Sequence, residues 1–187
     1  ARNKLICMLF WQTAVRSDEL SRFRLDKIDW DNREIKIRSS KLNRKDHPEL
    51  YQRKVWWEPS LDYQMQRWRS KRSEFDSDGS SPYLFVTENG TQMDSGYMSK
   101  IVKEAAHNAG VNEPLVRGAD GEVKQWLYTA HRLRHSRITY LANDPVAMNL
   151  NSLRMMAGHA SFDTTLTYVR ADWETARNAY VDALSGQ

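Results

Sequence analysis

Apolar residues crowd the opening KLICMLFW, and their spacing predicts a buried helix over about residues 2–13. Ser17, followed by Asp18, Glu19 and Leu20, reads as the cap of a second, short helix ending near Arg24, which leaves Arg16 at the junction. The period then changes. IDWDNREIKIRSS and QRKVWWEP carry the β-branched and aromatic residues of strands, with Asp31-Asn32 as the first turn and the basic SSKLNRKDHPEL as a long connection. Leu61, Met65 and Trp68 recur at helical spacing while Arg67, Arg69, Lys71 and Arg72 take the other faces. DSDGSSP breaks that helix, and YLFVT followed by ENG reads as strand and turn.

From Asp94 onward Met98, Ile101, Val102, Ala105 and Ala109 form a stripe that Gly110 closes. Residues 111 to 130 carry few periodic cues and read as an irregular loop or an extra hairpin. The end is helical again. One helix starts near His131, one carries Val146, Leu150, Leu153 and Ala157 and stops at Gly158, one holds Tyr168, and a terminal one carries Trp173, Ala176, Tyr180 and Leu184. The fold class is therefore α+β, mainly helical, with a small antiparallel sheet. Trp56, Trp57 and Trp68 are assigned to the core, because each lies in an element whose apolar stripe must be covered.

At 187 residues and 40% hydrophobic, the chain can bury one core, so a single domain spanning residues 1–187 is expected. The lone Cys7 excludes an internal disulfide and a Cys-based zinc site, and points to a reducing, cytoplasmic setting. No apolar run reaches the length of a membrane span, and ARNKLICMLFW lacks a signal-peptide cleavage pattern, so no membrane partner is expected. A chain that opens directly on a helix reads as a fragment of a longer protein. The formal charge is only +4, but residues 121–170 hold six Lys/Arg against three Asp/Glu, and residues 39–58 five against three. Basicity concentrated in this way suits an anionic partner.

The densest basic stretch is TAHRLRHSRITYL, with His131, Arg132, Arg134, His135 and Arg137 inside seven residues and no acid among them. Compensating negative charge must come from outside the stretch. His131 and Arg134, three apart, share a helix face. His159 follows Gly158, Tyr168 comes nine residues later, and Arg16 lies at the other end of the sequence. Guanidinium forks match phosphate oxygens, histidines move protons near neutral pH, and a tyrosine oxygen can attack. Together these describe phosphoryl transfer with no cofactor and no metal, since there is no HExxH, no GKS or GKT phosphate loop and no compact carboxylate cluster. Blander readings stand beside this one. Arg16 could cap a helix or pair with Asp18 or Glu19, Lys41 could be a solvated loop lysine, and His131 and His135 have the spacing of a metal pair without a third ligand.

In order along nearly the whole chain, TAVRSDEL, SSKLNRK, SPYLFVTENGTQMDSGYMSKIVKEAAHNAGV, TAHRLRHSRITYL and MAGHASFDTTLTYVR resemble the motifs of the tyrosine recombinase (phage integrase) catalytic domain. The resemblance implies a DNA breaking-rejoining core in which Arg16 and Arg134 clamp the phosphate and Tyr168 forms a 3′-phosphotyrosyl bond. It further implies that His131 manages the nucleophile's proton, His159 hydrogen-bonds the scissile phosphate, and Lys41 protonates the departing 5′ oxygen. Glu19 and His135 are implied as supports. Lys41 is preferred to Arg44 and Lys45 because it directly follows the strand. The implied partner is double-stranded DNA, bound as a homo-oligomer (a tetramer in recombination, a monomer when free) in a prokaryotic or viral setting. An N-terminal DNA-clamping domain would lie outside this chain, and the terminal helix would dock on a neighbouring subunit. Val15 before the first arginine, Ala130 before the motif histidine and the length of residues 111–130 depart from the pattern. A type IB topoisomerase and a non-cleaving DNA-binding module of the same fold are the alternatives, with Gly158-His159 favouring the recombinase.

Overall fold

Helix α1, Arg2–Thr13, threads the molecule, with Leu5, Ile6, Leu9 and Phe10 fully buried. The computed structural model describes residues 1–143, 146, 148–169, 177 and 181. α1 ends where Ala14 adopts φ +50°, a left-handed conformation that costs a non-glycine residue roughly 1–2 kcal/mol. The turn delivers Arg16 to the start of α2, Ser17–Ser21. Arg16, not Ser17, is the N-cap: its backbone N–H donates to the Glu19 carboxylate at 2.9 Å, and the helix stops at Ser21, short of the expected Arg24.

Strands β1 (Ile28–Asp29), β2 (Glu34–Arg38) and β3 (Gln52–Trp56) form an antiparallel sheet in that order, with Ile35 opposite Val55 and Ile37 opposite Arg53. Alternation sends Ile35, Ile37, Arg53 and Val55 inward, and Lys36, Lys54 and Trp56 outward. This corrects one core assignment. Trp57 is buried, whereas Trp56 is 47% exposed, because consecutive strand residues cannot share a face. The basic connection holds one helical turn that the pattern did not announce, α3 (Pro48–Tyr51), seated on buried Leu50.

Helix α4, Asp62–Arg72, buries Met65 and Trp68, and the Trp68 indole N–H donates to the Leu84 carbonyl at 2.8 Å. The expected strand at YLFVT is buried at Leu84, Phe85 and Val86, yet it makes only isolated bridges, Arg24 with Tyr83 and Val86 with Gln92. Helix α5, Ser95–Asn108, is capped by Asp94 and buries Met98, Ile101 and Val102, but Ala105 and Ala109 stand in solvent because the helix outruns the core. Of the two readings for residues 111–130, the hairpin is observed: β4 (Pro114–Arg117) pairs antiparallel with β5 (Val123–Trp126).

Helix α6, Ala130–Ala142, starts at Thr129, whose hydroxyl accepts from the Arg132 N–H at 3.2 Å. α7, Leu150–Ala157, ends at left-handed Gly158, and exposed Val146 lies before its first turn, outside the stripe expected of it. α8 is short, Phe162–Leu166, so Tyr168 sits just past a helix rather than within one. The expected terminal stripe Trp173, Ala176, Tyr180 and Leu184 lies outside the described residues. Among the described residues, no helix is long and apolar enough to cross a membrane. The main core surrounds α1, while a smaller cluster of Ala14, Ile138, Leu141, Leu153, Met156 and Ala157 has Tyr168 packed against it. The site lies where the two meet.

Candidate active site

Arg134 is an arginine on the inward face of α6, only 4% exposed, and a buried guanidinium needs acceptors. It finds carbonyls at two helix ends: NH1 donates to Ala14, and NH2 donates to Ala157 at 2.8 Å and to His159 Nε2 at 3.1 Å. The left-handed turn at Ala14 and the end of α7 thus converge on one side chain. Burial, then the neighbouring Arg16, push its pKa down to about 10, leaving it charged at neutral pH. Its Nε–H and one NH1 hydrogen remain uncommitted among the described residues.

Arg16 fills both blander roles and still faces the site. It caps α2 and meets Glu19 Oε1 at 3.3 Å, while its NH2 lies 3.5 Å from the Gly158 carbonyl. Glu19, wholly buried, holds a second arginine that sequence reading missed. Arg53 grips both carboxylate oxygens, at 2.9 and 2.8 Å, and donates from Nε to the Met156 carbonyl at 2.9 Å. Burial alone would raise the Glu19 pKa, but hydrogen bonds and charge from Arg53 and Arg16 outweigh it and hold the carboxyl below its usual range. The clue to Arg53 was a charge at an inward strand position, alternating with Val55. Gly158 lies against this guanidinium: its φ is +66°, and an added Cβ would fall 2.9 Å from Arg53 Cζ.

His159 is 4% exposed, with Nδ1 3.0 Å from the Thr165 hydroxyl. Burial first, then the charges of Arg134, Arg16 and Arg53, lower its pKa to about 4, so the ring is neutral at physiological pH. Tyr168 is half-buried, its ring 5.7 Å from that of His159 at an interplanar angle of 20°, and 4.8 Å from that of His135. Its N–H donates to the Thr165 carbonyl at 3.1 Å, and its carbonyl accepts from Asn143 Nδ2 at 2.8 Å.

Arg16, Arg134, His159 and Tyr168 therefore form one connected set, while His131 and Lys41 stand at its margin. His131 is on the exposed side of α6, its pKa lowered by burial and then by Arg134, His135, Lys41 and Arg132. Of the two α6 histidines, it is His135 whose imidazole packs on Tyr168. Lys41 is exposed on the β2–β3 connection, close enough for its charge to act on His131. Part of the basic stretch is compensated within the chain: Arg137 pairs with Glu58 at 2.7 Å and lies over the Trp11 and Tyr140 rings. Among the described residues, no three His, Cys, Asp or Glu side chains gather as a metal site would require. What the set can do is receive an oxyanion beside a tyrosine, between two guanidiniums and a neutral imidazole.

The sequence model described as phage integrase family matches residues 1–174. The chain is 27% identical over 190 residues to tyrosine recombinase XerC of Bifidobacterium longum (strain DJO10A), covering 97% of this chain and 47% of the relative. It is 25% identical to tyrosine recombinase XerA of Pyrococcus furiosus, covering 90% and 50% respectively. It thus spans about half the length of these curated relatives. Its fold is that of solved recombinase structures. XerH bound to difH substrate in a pre-cleavage complex superposes with a TM-score of 0.70 at 22% identity, covering 96% of this chain and 46% of that one. Tn1549 transposon integrase in complex with circular intermediate DNA gives 0.65 at 24%, covering 97% and 58%.

Proposed function

Because the chain belongs to the phage integrase family, we propose that it cuts and rejoins double-stranded DNA at specific sites through a covalent 3′-phosphotyrosyl intermediate. The observation that carries this reading is the Tyr168 ring seated on His159 beside buried Arg134, with Arg16 approaching across Gly158. In this reading the free N–H groups of Arg134 and the half-open Arg16 hold the non-bridging oxygens of the scissile phosphate, with His159 at its edge. The Tyr168 oxygen attacks phosphorus, its proton passing to His131, whose lowered pKa keeps the ring neutral and able to accept. The bond to the 5′ oxygen breaks, and Lys41 supplies the proton that oxygen needs. The phosphotyrosyl bond keeps the energy of the phosphodiester, so a 5′ hydroxyl can reverse the step without a nucleotide.

Residues 1–187 act as the catalytic domain, assembling as a tetramer on paired sites from free monomers, in the cytoplasm where the DNA lies. A cleft of about 850 Å³ beside the Glu19–Arg53 pair, lined by Arg22, Arg24, Lys27, Lys36, Arg38 and Lys54, suits flanking backbone phosphates. A nicked suicide duplex tests the reading: the cut strand loses its short 5′-hydroxyl fragment and the protein stays attached. A covalent band on a denaturing gel is the expected result. Duplex binding with no such band would favour the non-cleaving module.

The lysine role has its own test. A scissile 5′ bridging sulfur leaves as a thiolate and needs no proton. Lys41→Ala should cleave ordinary DNA at least about 100-fold slowly and be largely rescued by sulfur, whereas Arg134→Ala should not be rescued. Rescue of Lys45→Ala but not of Lys41→Ala would move the role along the connection.

A further inference from the structure

The hydrogen bonds of His159 carry information that its position alone does not. A guanidinium has donors only, so the 3.1 Å approach of Arg134 NH2 makes His159 Nε2 an acceptor. The neutral ring then carries its proton on Nδ1, and the Thr165 hydroxyl, 3.0 Å away, accepts it. Resting His159 therefore turns its Nε2 lone pair toward Arg134. In this state it works through Arg134, fixing the guanidinium by its Nε2 lone pair.

Thr165 makes that arrangement possible. Its side chain is fully buried at α8, and it holds two functional residues at once: the hydroxyl takes the His159 ring, and the carbonyl takes the N–H of Tyr168 at 3.1 Å. The plane of the imidazole so fixed is the plane on which the Tyr168 ring lies, tilted by 20°. We propose that Thr165 is a positioning residue for strand cleavage, its hydroxyl locking the His159 imidazole as the Nδ1–H tautomer in the one orientation that both aligns Arg134 and seats Tyr168. The inference rests on the recombinase reading for its effect on cleavage, but not for the tautomer itself.

Valine matches threonine in shape and lacks the acceptor, and serine keeps the acceptor in a smaller side chain, so the pair separates hydrogen bonding from volume. Three measurements on the full chain apply: histidine ring nitrogen and carbon shifts at neutral pH, single-turnover adduct formation on the nicked duplex, and affinity for that duplex. Wild type should give the Nδ1–H pattern for His159. Thr165→Val should lose that pattern and cleave about tenfold or more slowly with affinity within about twofold, as a misplaced group beside a reacting phosphate would dictate. Thr165→Ser should restore both. An Nε2–H pattern in wild type would overturn the proposal even if the valine variant failed to fold. So would wild-type cleavage by Thr165→Val, or a serine variant as slow as valine. Absence of any adduct from wild type would sink the recombinase reading instead, leaving the tautomer to be judged by the spectra.

Discussion

Tyr168→Phe is expected to abolish the covalent protein–DNA adduct, a loss on the order of 10⁴-fold or more, while fold and DNA affinity stay nearly unchanged. The contacts that hold Tyr168 are its ring faces against His135 and His159 and its backbone bonds to Thr165 and Asn143. Phenylalanine keeps all of these and removes only the attacking oxygen. Thermal unfolding should therefore differ from wild type by less than about 0.5 kcal/mol, and the denaturing gel should show no covalent band. Adducts formed by the phenylalanine variant at the wild-type rate would mean that another of the eight tyrosines attacks.

The second large effect concerns stability. Arg53→Ala removes both hydrogen bonds to a fully buried Glu19 carboxylate and the bond to the Met156 carbonyl. Breaking a buried pair by deleting one partner costs about 3–5 kcal/mol, because the other charge is left without compensation. Urea denaturation should show the midpoint fall with an unchanged slope. The double variant Arg53→Met with Glu19→Leu removes both charges and should recover much of that stability. It should not recover cleavage, because Arg16 loses the carboxylate that holds its backbone and side chain. Recovery of both would show that the pair is only a fold element, and recovery of neither would show that the hydrogen bond to α7 matters more than the charge.

The core helices were readable because helical periodicity is a local record of burial. Leu5, Ile6 and Leu9, the Met65–Trp68 stripe, and Met98, Ile101 and Val102 are buried as their spacing implied. Failures came where burial depends on what stands opposite. The YLFVT segment is buried without a ladder, Trp56 faces solvent while Trp57 does not, and Ala105 and Ala109 extend past the core.

The site divides in the same way. The resemblance to the recombinase motifs pointed to Arg16, Arg134, His159 and Tyr168, residue types whose chemistry suits a phosphate, and the fold brings these four together. Their connections were not available from the sequence. Arg134 meets a carbonyl 120 residues away at Ala14, Arg53 meets Glu19 across 34 residues, and Arg53 meets Met156 across 103. A carbonyl has no residue-type signature, since every residue carries one, so no pattern of side chains announces which will accept from a buried arginine. The sequence by itself determined which groups could handle a phosphate. Only the tertiary structure decided which carbonyls hold Arg134 and which carboxylate holds Arg16, because the Arg134 bonds are closed by the meeting of α1, α6 and α7, and the Arg16 pair by the turn from α1 into α2.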